Sequence, residues 1–349
     1  MRKRGFFAAL MAALVALSAV SCNNELHVDE SQKTSGVQDT TSAEGEKGTE
    51  SAEKNTNAND LNSYITVKES KPALWKVTDP NNGNSLYMFG MVYFMTDNTL
   101  PLPDYVMDAY KNSDSVAVEF DMSNMTQDME SMQEFYSHMV YTDGTGIADH
   151  ISEETYLKAK DYLSKNFFYN NMMDGYSASF WASQVNAVAV GNVKNLIMET
   201  LETRFVNMAK MDNKNVVSIS DADSQLKAMD ATTDELADFM ISDTIRRAEN
   251  VSGFTKNLAD QYDNWAKGDV DPLAEELYWL DRSSDLDDDY EDYLEATLYP
   301  KNEAITSKVE EFLAEGDKPF IIVNITSFAG EKSVDRALSA EGYKVERVD

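Results

Sequence analysis

The sequence predicts an α/β domain in which one central mixed sheet, built from strands near both ends of the domain, is flanked by helices and carries a helical middle insertion. Short apolar runs that end at a turn, the pattern of buried strands, lie near the two ends, as at residues 85–90 and 320–323. Between them, apolar residues recur mainly at helical spacing. Because strands and helices bury their apolar faces against another layer, we expect the two groups of strands to share one sheet.

Residues 1–21 have the three parts of a signal peptide. Positive charges at residues 2–4 precede an apolar stretch over residues 6–20, and small residues then lead into Cys22. This order is typical of an export leader. The end of the leader, Ala-Val-Ser-Cys, fits the bacterial lipobox. We therefore predict cleavage of the leader and lipidation of Cys22; ordinary secretion with cleavage near Ser21 is the alternative.

The charge and the cysteine count of the chain help to predict its localisation and its partners. The chain has 61 acidic and 30 basic residues and a net charge of −31, and loss of the basic leader takes the charge to about −34. Such a surface repels nucleic acid and anionic headgroups, so we expect no nucleic-acid partner and a membrane contact made through the lipid at Cys22. Cys22 is the only cysteine, which excludes internal disulfides. The prediction is an exported protein, lipid-anchored to the extracytoplasmic face of the bacterial cell envelope.

Residues 22–63 are predicted to form a disordered tether. After Cys22 they contain no aromatic residue and few aliphatic ones, which leaves too little apolar surface to drive folding. Residues 64–349 form the predicted domain. A domain of that length is large enough to build one core.

Apolar patterns and turn signals place the elements of the domain in order. The first part is predicted to contain strands at 74–79 and 85–90 joined by a hairpin turn, a helix at 104–111 and a strand at 115–120. The predicted middle comprises helices at 153–166, 177–193, 196–210, 234–266 with a break near Gly253, and 272–281, with a short strand at 215–219. The last part is predicted to contain a helix at 302–314, a strand at 320–323, a helix at 332–340 and a strand at 343–348.

Methionines recur at steps of three and four residues after the third predicted strand. The series runs through Met122, Met125, Met129 and Met132 and continues with Phe135, Tyr136 and Met139. This spacing predicts one face of an amphipathic helix, which we interpret as its core face. A copper(I) ladder and an adaptable peptide groove also use methionines, and they are the alternatives.

Two patterns bear on metal binding. The three histidines, His27, His138 and His150, do not follow buried strands and show no metal-ligand spacing, so we predict no histidine-built metal site. Residues 285–289 place acids as a calcium loop does, but Tyr290 stands where such a loop needs glycine. We interpret that run as a solvated helix start, where acids complement the helix dipole.

Four segments, taken in order, resemble the TraB/PrgY/GumN family, whose animal relatives include the Tiki proteases. They contain Leu-Tyr-Met-Phe-Gly-Met-Val-Tyr (86–93) with Val-Ala-Val-Glu-Phe-Asp (116–121), Asn-Val-Val (215–217) before Gln225, Trp-Ala-Lys-Gly-Asp (265–269), and Lys-Asn (301–302) through Gly330 to Gly-Tyr-Lys-Val (342–345). The resemblance implies an α/β domain with two G-x-x-H motifs at strand ends, a strand glutamate, a second glutamate and an arginine–asparagine pair. In the Tiki branch this set is associated with divalent-metal-dependent proteolysis.

The motifs of this chain depart from that pattern at several positions. Tyr93 replaces the first histidine, and residues 324–327 (Asn-Ile-Thr-Ser) lack both the glycine and the histidine of the second motif. The second glutamate corresponds to Ser220 and the arginine to Lys301. The pocket that the resemblance predicts therefore comprises Gly90, Tyr93, Glu119, Ser220, Lys301, Asn302, Asn324 and Ser327.

The chemistry of these replacements predicts that the family's metalloprotease activity is lost. A neutral imidazole binds metal ions and shuttles protons near pH 7, whereas a tyrosine hydroxyl does neither readily and a serine hydroxyl needs an activating base. We predict a non-catalytic lipoprotein that binds a peptide or small-molecule ligand and needs no cofactor. The alternative is a metal-dependent hydrolase of the TraB/Tiki type with a rearranged site built on Glu119 and Asp121. A purely structural role in the envelope is the third hypothesis.

Overall fold

A six-stranded sheet forms the centre of the domain. The computed structural model describes residues 57–121, 129–273 and 286–348. The strands are β1 (Leu74–Thr78), β2 (Ser85–Met91), β3 (Ser115–Val118), β4 (Asn215–Ser218), β5 (Pro319–Asn324) and β6 (Lys344–Val348). Every one of them coincides with a predicted strand to within a residue or two at each end, because apolar runs bounded by turns mark buried strands clearly.

The sheet is mixed, with the order β4-β3-β5-β2-β1-β6. β4, β3, β5 and β2 run parallel, whereas β1 is antiparallel to both β2 and β6. β5, from the end of the domain, lies between β2 and β3 from its beginning, which confirms that strands from both ends share one sheet. The parallel pairing also places the carboxyl ends of four strands at one edge.

Helices surround the sheet and dominate the middle of the chain. They are α1 (Asp104–Lys111), α2 (Met129–Met139), α3 (Glu153–Lys165), α4 (Ala178–Gly191), α5 (Leu201–Met211), α6 (Ala222–Asp230), α7 (Asp234–Glu249), α8 (Val251–Ala266), α9 (Asp287–Glu315) and α10 (Val334–Ala340). α4 is buried on nearly all sides and packs along α7. The central sheet with helices around it confirms the predicted α/β class. None of the helices in the described ranges is both long enough and apolar enough to cross a membrane.

Helix α5 begins at Leu201, whereas the apolar spacing predicts a start at residue 196. The chain is extended before α5 because Ile197 exchanges backbone hydrogen bonds of 2.9 and 2.8 Å with Met95. The Thr200 side chain then accepts a hydrogen bond from the Thr203 backbone N–H and caps the helix. A pairing with a distant segment therefore overrides the local helical preference.

The predicted break near Gly253 is confirmed, and it falls at Asn250, between α7 and α8. The Asn250 side chain accepts a hydrogen bond from the Gly253 backbone N–H, so it serves as the N-cap of α8. Gly253 lies in the first turn, where an added Cβ would lie 2.9 Å from Asn250 Cγ, so the glycine leaves room for the capping side chain. The capping amide, rather than the flexible glycine, fixes the position of the break.

Helix α9 is much longer than predicted. It begins at Asp287 and continues through Pro300, although the sequence predicts a start at residue 302. Side chains at helical spacing hold its first half on the core, namely Tyr290, Tyr293, Leu294 and Leu298. The start at Asp287 confirms the helix-start interpretation of the acidic run. Asp285 and most of the predicted helix 272–281 lie outside the described residues.

Residues that precede position 64 already pack against the domain. Leu61 is fully buried, and its backbone N–H donates a hydrogen bond of 3.1 Å to a carbonyl in the loop after α4. The buried carboxylate of Asp263 in α8 accepts hydrogen bonds from the backbone N–H groups of Thr66 and Val67 and from the Thr66 hydroxyl. Residues 57–63, predicted as the end of the tether, therefore pack against the domain.

Helix α2 buries only part of the predicted methionine face. Phe135 and Met139 are buried in a small cluster with side chains from α4 and α6, which confirms them as core residues. The core interpretation is wrong for Met132 and Tyr136, which are 45% and 48% exposed. The buried stripe is narrow because α2 packs mainly on α6. The first two methionines of the series, Met122 and Met125, lie outside the described residues.

Gly90, near the end of β2, is enclosed by apolar side chains. A Cβ atom at this position would lie 2.4 Å from Ile325 Cδ1 and 3.3 Å from ring atoms of Trp75 and Phe328. These two rings stack with a centroid distance of 3.7 Å. Trp265 Nε1 donates a hydrogen bond of 2.9 Å to the Gly90 carbonyl oxygen. The absence of a side chain lets the end of β2 approach the turn that follows β5.

Gly90→Ala is expected to lower the free energy of unfolding by about 1–3 kcal/mol, the usual cost of overpacking a core. Urea unfolding followed by tryptophan fluorescence measures the change. Gly175→Ala is the matched control, because a Cβ at Gly175 meets no atom within 4 Å. An equal loss of stability in the two variants would contradict the packing argument.

Candidate functional site

Three predicted site residues meet at the carboxyl edge of the sheet. Glu119 directly follows β3, Tyr93 lies two residues after β2, and Asn324 is the last residue of β5. Because β5 lies between β3 and β2, the three residues come from neighbouring strand ends. Open α/β sheets bind their ligands at this edge. We refer to the cluster around these residues as the strand-edge site.

The Glu119 carboxylate is the centre of the strand-edge site. Its Oε1 accepts a hydrogen bond of 2.6 Å from the Asn324 backbone N–H and lies 3.5 Å from Lys301 Nζ. Lys301 reaches the site from the middle of α9. The Lys301 and Glu119 side chains are 11% and 13% exposed. The charge-assisted hydrogen bond and the ion pair fix the carboxylate while leaving part of it accessible.

The Tyr93 hydroxyl is held in its neutral form. Burial raises the pKa of Tyr93 well above its ordinary value, and the negative charges of Glu119 and Glu202 raise it further. A side-chain hydrogen bond with Asn324 opposes this rise. Tyr93 therefore offers the site a hydrogen-bonding hydroxyl but no charge.

Glu202 also belongs to the strand-edge site, and the sequence interpretation misses it. Burial raises the pKa of its carboxyl to about 8; the charges of Glu119 and Asp121 add to this effect, and Lys301 opposes it. Near pH 7 the carboxyl is therefore mostly protonated. Glu202 lies in the first turn of α5, where acids are common because they complement the helix dipole. Nothing in the local sequence distinguishes it from such an acid.

Ser220 positions the backbone of Glu119. Its hydroxyl donates a hydrogen bond of 2.6 Å to the Glu119 carbonyl oxygen, and its backbone N–H donates to the same oxygen at 2.9 Å. Gln225 Nε2 in turn donates to the Ser220 hydroxyl at 3.2 Å. The position at which the resemblance implies a second glutamate is thus structural here. A second carboxyl comes instead from Glu202, on a different element.

Asn302 and Ser327 contribute to packing and to the connection between elements. Asn302 Nδ2 donates a hydrogen bond of 3.0 Å to the Lys332 carbonyl oxygen, which ties α9 to the segment before α10. Ser327 is fully buried in the turn after β5, and its hydroxyl has no hydrogen-bond partner among the residues that the structure describes. Gly90 contributes close packing, as described above. Among the described residues, the Glu119 carboxylate pairs with Asn324 and Lys301 and not with Gly90, Asn302 or Ser327.

The described residues do not fit the divalent metal ion that the resemblance implies. Within residues 57–121, 129–273 and 286–348, no three His, Cys, Asp or Glu side chains gather in an arrangement that would hold an ion. At the strand-edge site, Lys301 Nζ lies 3.5 Å from a Glu119 oxygen that such an ion would need. His138 and His150 are engaged elsewhere, with Asp230 and Asp234.

Comparison with known proteins gives one match. A model of the TraB/PrgY/gumN family matches residues 73–347. The chain belongs to the TraB/PrgY/gumN family. The match runs from the start of β1 into β6, so it covers the whole sheet and the strand-edge site. No curated protein and no solved structure matches the chain.

The strand-edge site gives this TraB/PrgY/gumN chain a particular set of chemical abilities. Glu202 and Tyr93 carry protons that they can donate in hydrogen bonds, whereas Glu119 and Asp121 accept them. Lys301 supplies one positive charge. Such a set can orient a polar or charged ligand through several directional contacts.

Proposed function

We propose that this TraB/PrgY/gumN-family chain is an exported, lipid-anchored protein that binds a peptide or small-molecule ligand at the strand-edge site and does not cleave it. The leader at residues 1–21 and Cys22 support export and anchoring at the extracytoplasmic face of the bacterial envelope. Family membership supports the strand edge as the site. The tether then holds the domain away from the membrane surface.

The observation that carries the proposal is the ion pair between Lys301 and Glu119 at 3.5 Å. A resident ammonium group occupies a position next to the carboxylate where a metal-dependent enzyme would hold its ion. Tyr93 supplies a neutral hydroxyl at the position where the family motif has an imidazole. Hydrogen bonds and fixed charges, which select and orient ligands, are therefore what the site offers.

Binding is tested with the mature full-length chain and a pool of random pentapeptides, with mass spectrometry of the retained peptides. We expect the wild type to retain a subset and Tyr93→Phe to weaken retention about tenfold, because the variant loses one hydrogen bond in a partly buried site. Tyr87→Phe is the control, since Tyr87 is a half-buried tyrosine of β2, the strand that leads to Tyr93. Unchanged retention by Tyr93→Phe would exclude the Tyr93 hydroxyl from the binding site.

The lipid anchor is tested separately with Cys22→Ala. We expect the wild type to fractionate with membranes and to incorporate a labelled fatty acid, because a lipidated cysteine holds the chain at the bilayer. The variant should appear in the soluble or secreted fraction without label. Membrane association of an unlabelled variant at the wild-type level would contradict lipid anchoring.

A hydrolase with a rearranged site is the second candidate, and Glu202 is the observation that favours it. A protonated carboxyl near a carboxylate is an arrangement that enzymes use for general acid and general base chemistry. The metal content of the purified chain and the cleavage of the pentapeptide pool decide between the two candidates. Stoichiometric manganese, cobalt or zinc that is lost in Glu119→Gln, together with cleavage, would replace ligand binding as the function.

A further inference from the structure

We propose that the α3–α4 connection (residues 166–177) faces the lipid bilayer, with the Phe167 ring and the Met172 side chain entering the interfacial layer of the membrane. This inference rests on the proposed lipid anchoring and adds the face of the domain that meets the membrane. Three observations carry it. They are the strained backbone of an exposed aromatic residue, the charge of the connection, and the point at which the predicted tether joins the domain.

Phe167 is held in a backbone conformation that suits glycine. α3 ends in a Schellman motif, in which the Phe167 backbone N–H donates to the Ser164 carbonyl oxygen at 3.1 Å and the Phe168 N–H donates to that of Leu163 at 2.9 Å. The φ angle of Phe167 is +59°, in the left-handed region, which is costly for a residue with a bulky side chain. Apart from glycines, the other described residues with positive φ are two asparagines.

The exposed position of the Phe167 ring does not explain this strain. The residue is 98% exposed, so the ring adds almost no packing to the domain, and glycine would form the same helix end at lower cost. Met172, in the same connection, is 73% exposed. Strained backbone of this kind is found mainly at functional sites. The ring therefore indicates a contact made outside the domain.

The segment around Phe167 lacks the negative charge that dominates the chain. Residues 162–173 contain one lysine and no acid, whereas the whole chain has 61 acidic and 30 basic residues. The acids on either side are paired, since Asp161 lies 2.5 Å from Lys165 Nζ and Asp174 lies 3.6 Å from Lys160 Nζ. The repulsion between carboxylates and anionic headgroups is therefore weaker here than over most of the surface. Aromatic side chains favour the membrane–water interface.

The predicted tether joins the domain beside this connection. Asn59 Nδ2 donates a hydrogen bond of 3.1 Å to the Asn192 carbonyl oxygen, and Asn192 Nδ2 donates one of 2.9 Å to Asn166 Oδ1. Asn166 directly precedes Phe167, so a single residue bridges the start of the described chain and the connection. A lipid at Cys22 would therefore bring this side of the domain toward the bilayer. The tether is long enough for the domain to leave the surface and return, so the contact alternates with the extended arrangement.

These observations favour a bilayer over a protein as the occupant. The two apolar side chains stand among exposed asparagines and a lysine, and do not form a continuous apolar face. Such a surface suits the interfacial layer, into which single apolar groups insert between headgroups. A second copy of the chain would bring its own charge of −31, which opposes association of two copies.

The test uses the mature full-length chain, produced without the leader and coupled through Cys22, its only cysteine, to a maleimide-bearing lipid in phosphatidylcholine vesicles. Anchoring then does not depend on lipidation in the cell. Phe167→Trp is compared with Met211→Trp, because Met211 is also 73% exposed but lies at the end of α5. In vesicles with brominated acyl chains, which quench tryptophan on contact, the added emission of Phe167→Trp over the wild type should fall at least about twofold. The added emission of Met211→Trp should stay unchanged.

Every other pattern of quenching overturns the inference. Equal quenching of the two variants would mean that the domain meets the bilayer without a preferred face, and quenching of Met211→Trp alone would mean that it uses another face. No quenching in either variant would overturn the membrane contact but leave lipid anchoring intact, which the Cys22→Ala experiment tests by itself. A change in the emission of Phe167→Trp that grows with protein density on unbrominated vesicles would instead assign the ring to a contact between copies.

Removal of the ring separates membrane contact from stability. With Met172→Trp as the reporter, the further substitution Phe167→Gly should weaken quenching by about half, because one of the two inserted side chains is lost. The urea midpoint should stay at least as high as in Met172→Trp alone, since glycine adopts the left-handed conformation without strain. Unchanged quenching, or a lower midpoint that shows the ring to serve the fold, would overturn the role of Phe167.

Discussion

Glu202→Gln is expected to make the domain more stable than the wild type at pH 9, by about 2–4 kcal/mol, and to leave stability near pH 4.5 almost unchanged. The carboxyl has a pKa of about 8 in the folded chain against an ordinary 4.5. Below about pH 4.5 both folded and unfolded chains hold the proton. Between the two values the folded chain holds more protons than the unfolded chain, so the stabilisation due to this proton is lost as pH rises through about 8.

The size of the expected stability change follows from the shift in the pKa of Glu202. A displacement from 4.5 to about 8 corresponds to at most about 5 kcal/mol. Relaxation around the ionised group, including closer approach of Lys301, lowers the expected value to about 2–4 kcal/mol. The neutral amide of glutamine resembles the protonated carboxyl in shape, so the variant avoids the cost of ionisation at high pH.

Urea unfolding at pH 4.5, 7 and 9 measures the difference between the variant and the wild type. Glu303→Gln is the control, because it makes the same substitution at an exposed position of α9. The difference between Glu202→Gln and the wild type should grow with pH, and the difference for Glu303→Gln should stay near zero. Parallel pH profiles for wild type and Glu202→Gln would show that Glu202 ionises normally.

Asp263→Ala is expected to lower the free energy of unfolding by about 2–4 kcal/mol. The substitution removes the acceptor of the Thr66 and Val67 backbone N–H groups and of the Thr66 hydroxyl. These donors are partly buried, so their loss is larger than that of a surface hydrogen bond. Asp263→Asn retains one acceptor oxygen and should have a smaller effect.

Limited proteolysis tests whether Asp263→Ala loosens the segment before β1. The Asp263→Ala variant should be cut between residues 57 and 70 at a protease concentration that leaves the wild type intact, because the segment loses its attachment to α8. Asp269→Ala, at an exposed position after the same helix, is the control. Wild-type protease resistance in Asp263→Ala would mean that the buried Leu61 holds the segment without the carboxylate.

Much of the fold is predictable from the sequence because its signals are local. The strands are short apolar runs between turns, and α1 is bounded by prolines and by a polar loop. The start of α5 is not predictable in this way, because a backbone pairing between Ile197 and Met95 decides it. The long α9 also escapes prediction, since tertiary packing of its first half outweighs the local effect of Pro300.

The candidate site is predictable where a residue that the family resemblance indicates lies at or just after the end of a strand. Glu119, Tyr93 and Asn324 are found this way, because parallel strands bring their carboxyl ends together. Lys301 comes from the family resemblance alone. Glu202 has neither signal, since its importance arises from burial beside other carboxyl groups in the folded chain.

The close packing around Ser327 limits how a metal site could be engineered into this chain. The serine is fully buried, and at neighbouring Gly90 even one added carbon would collide with Ile325. A histidine at position 327 would therefore overpack the turn before it gained any ligand to bind. A histidine at position 93 would still find Lys301 beside Glu119. A single histidine at either position would thus not be enough to build the metal site that the family resemblance implies, and the surrounding side chains would have to change with it.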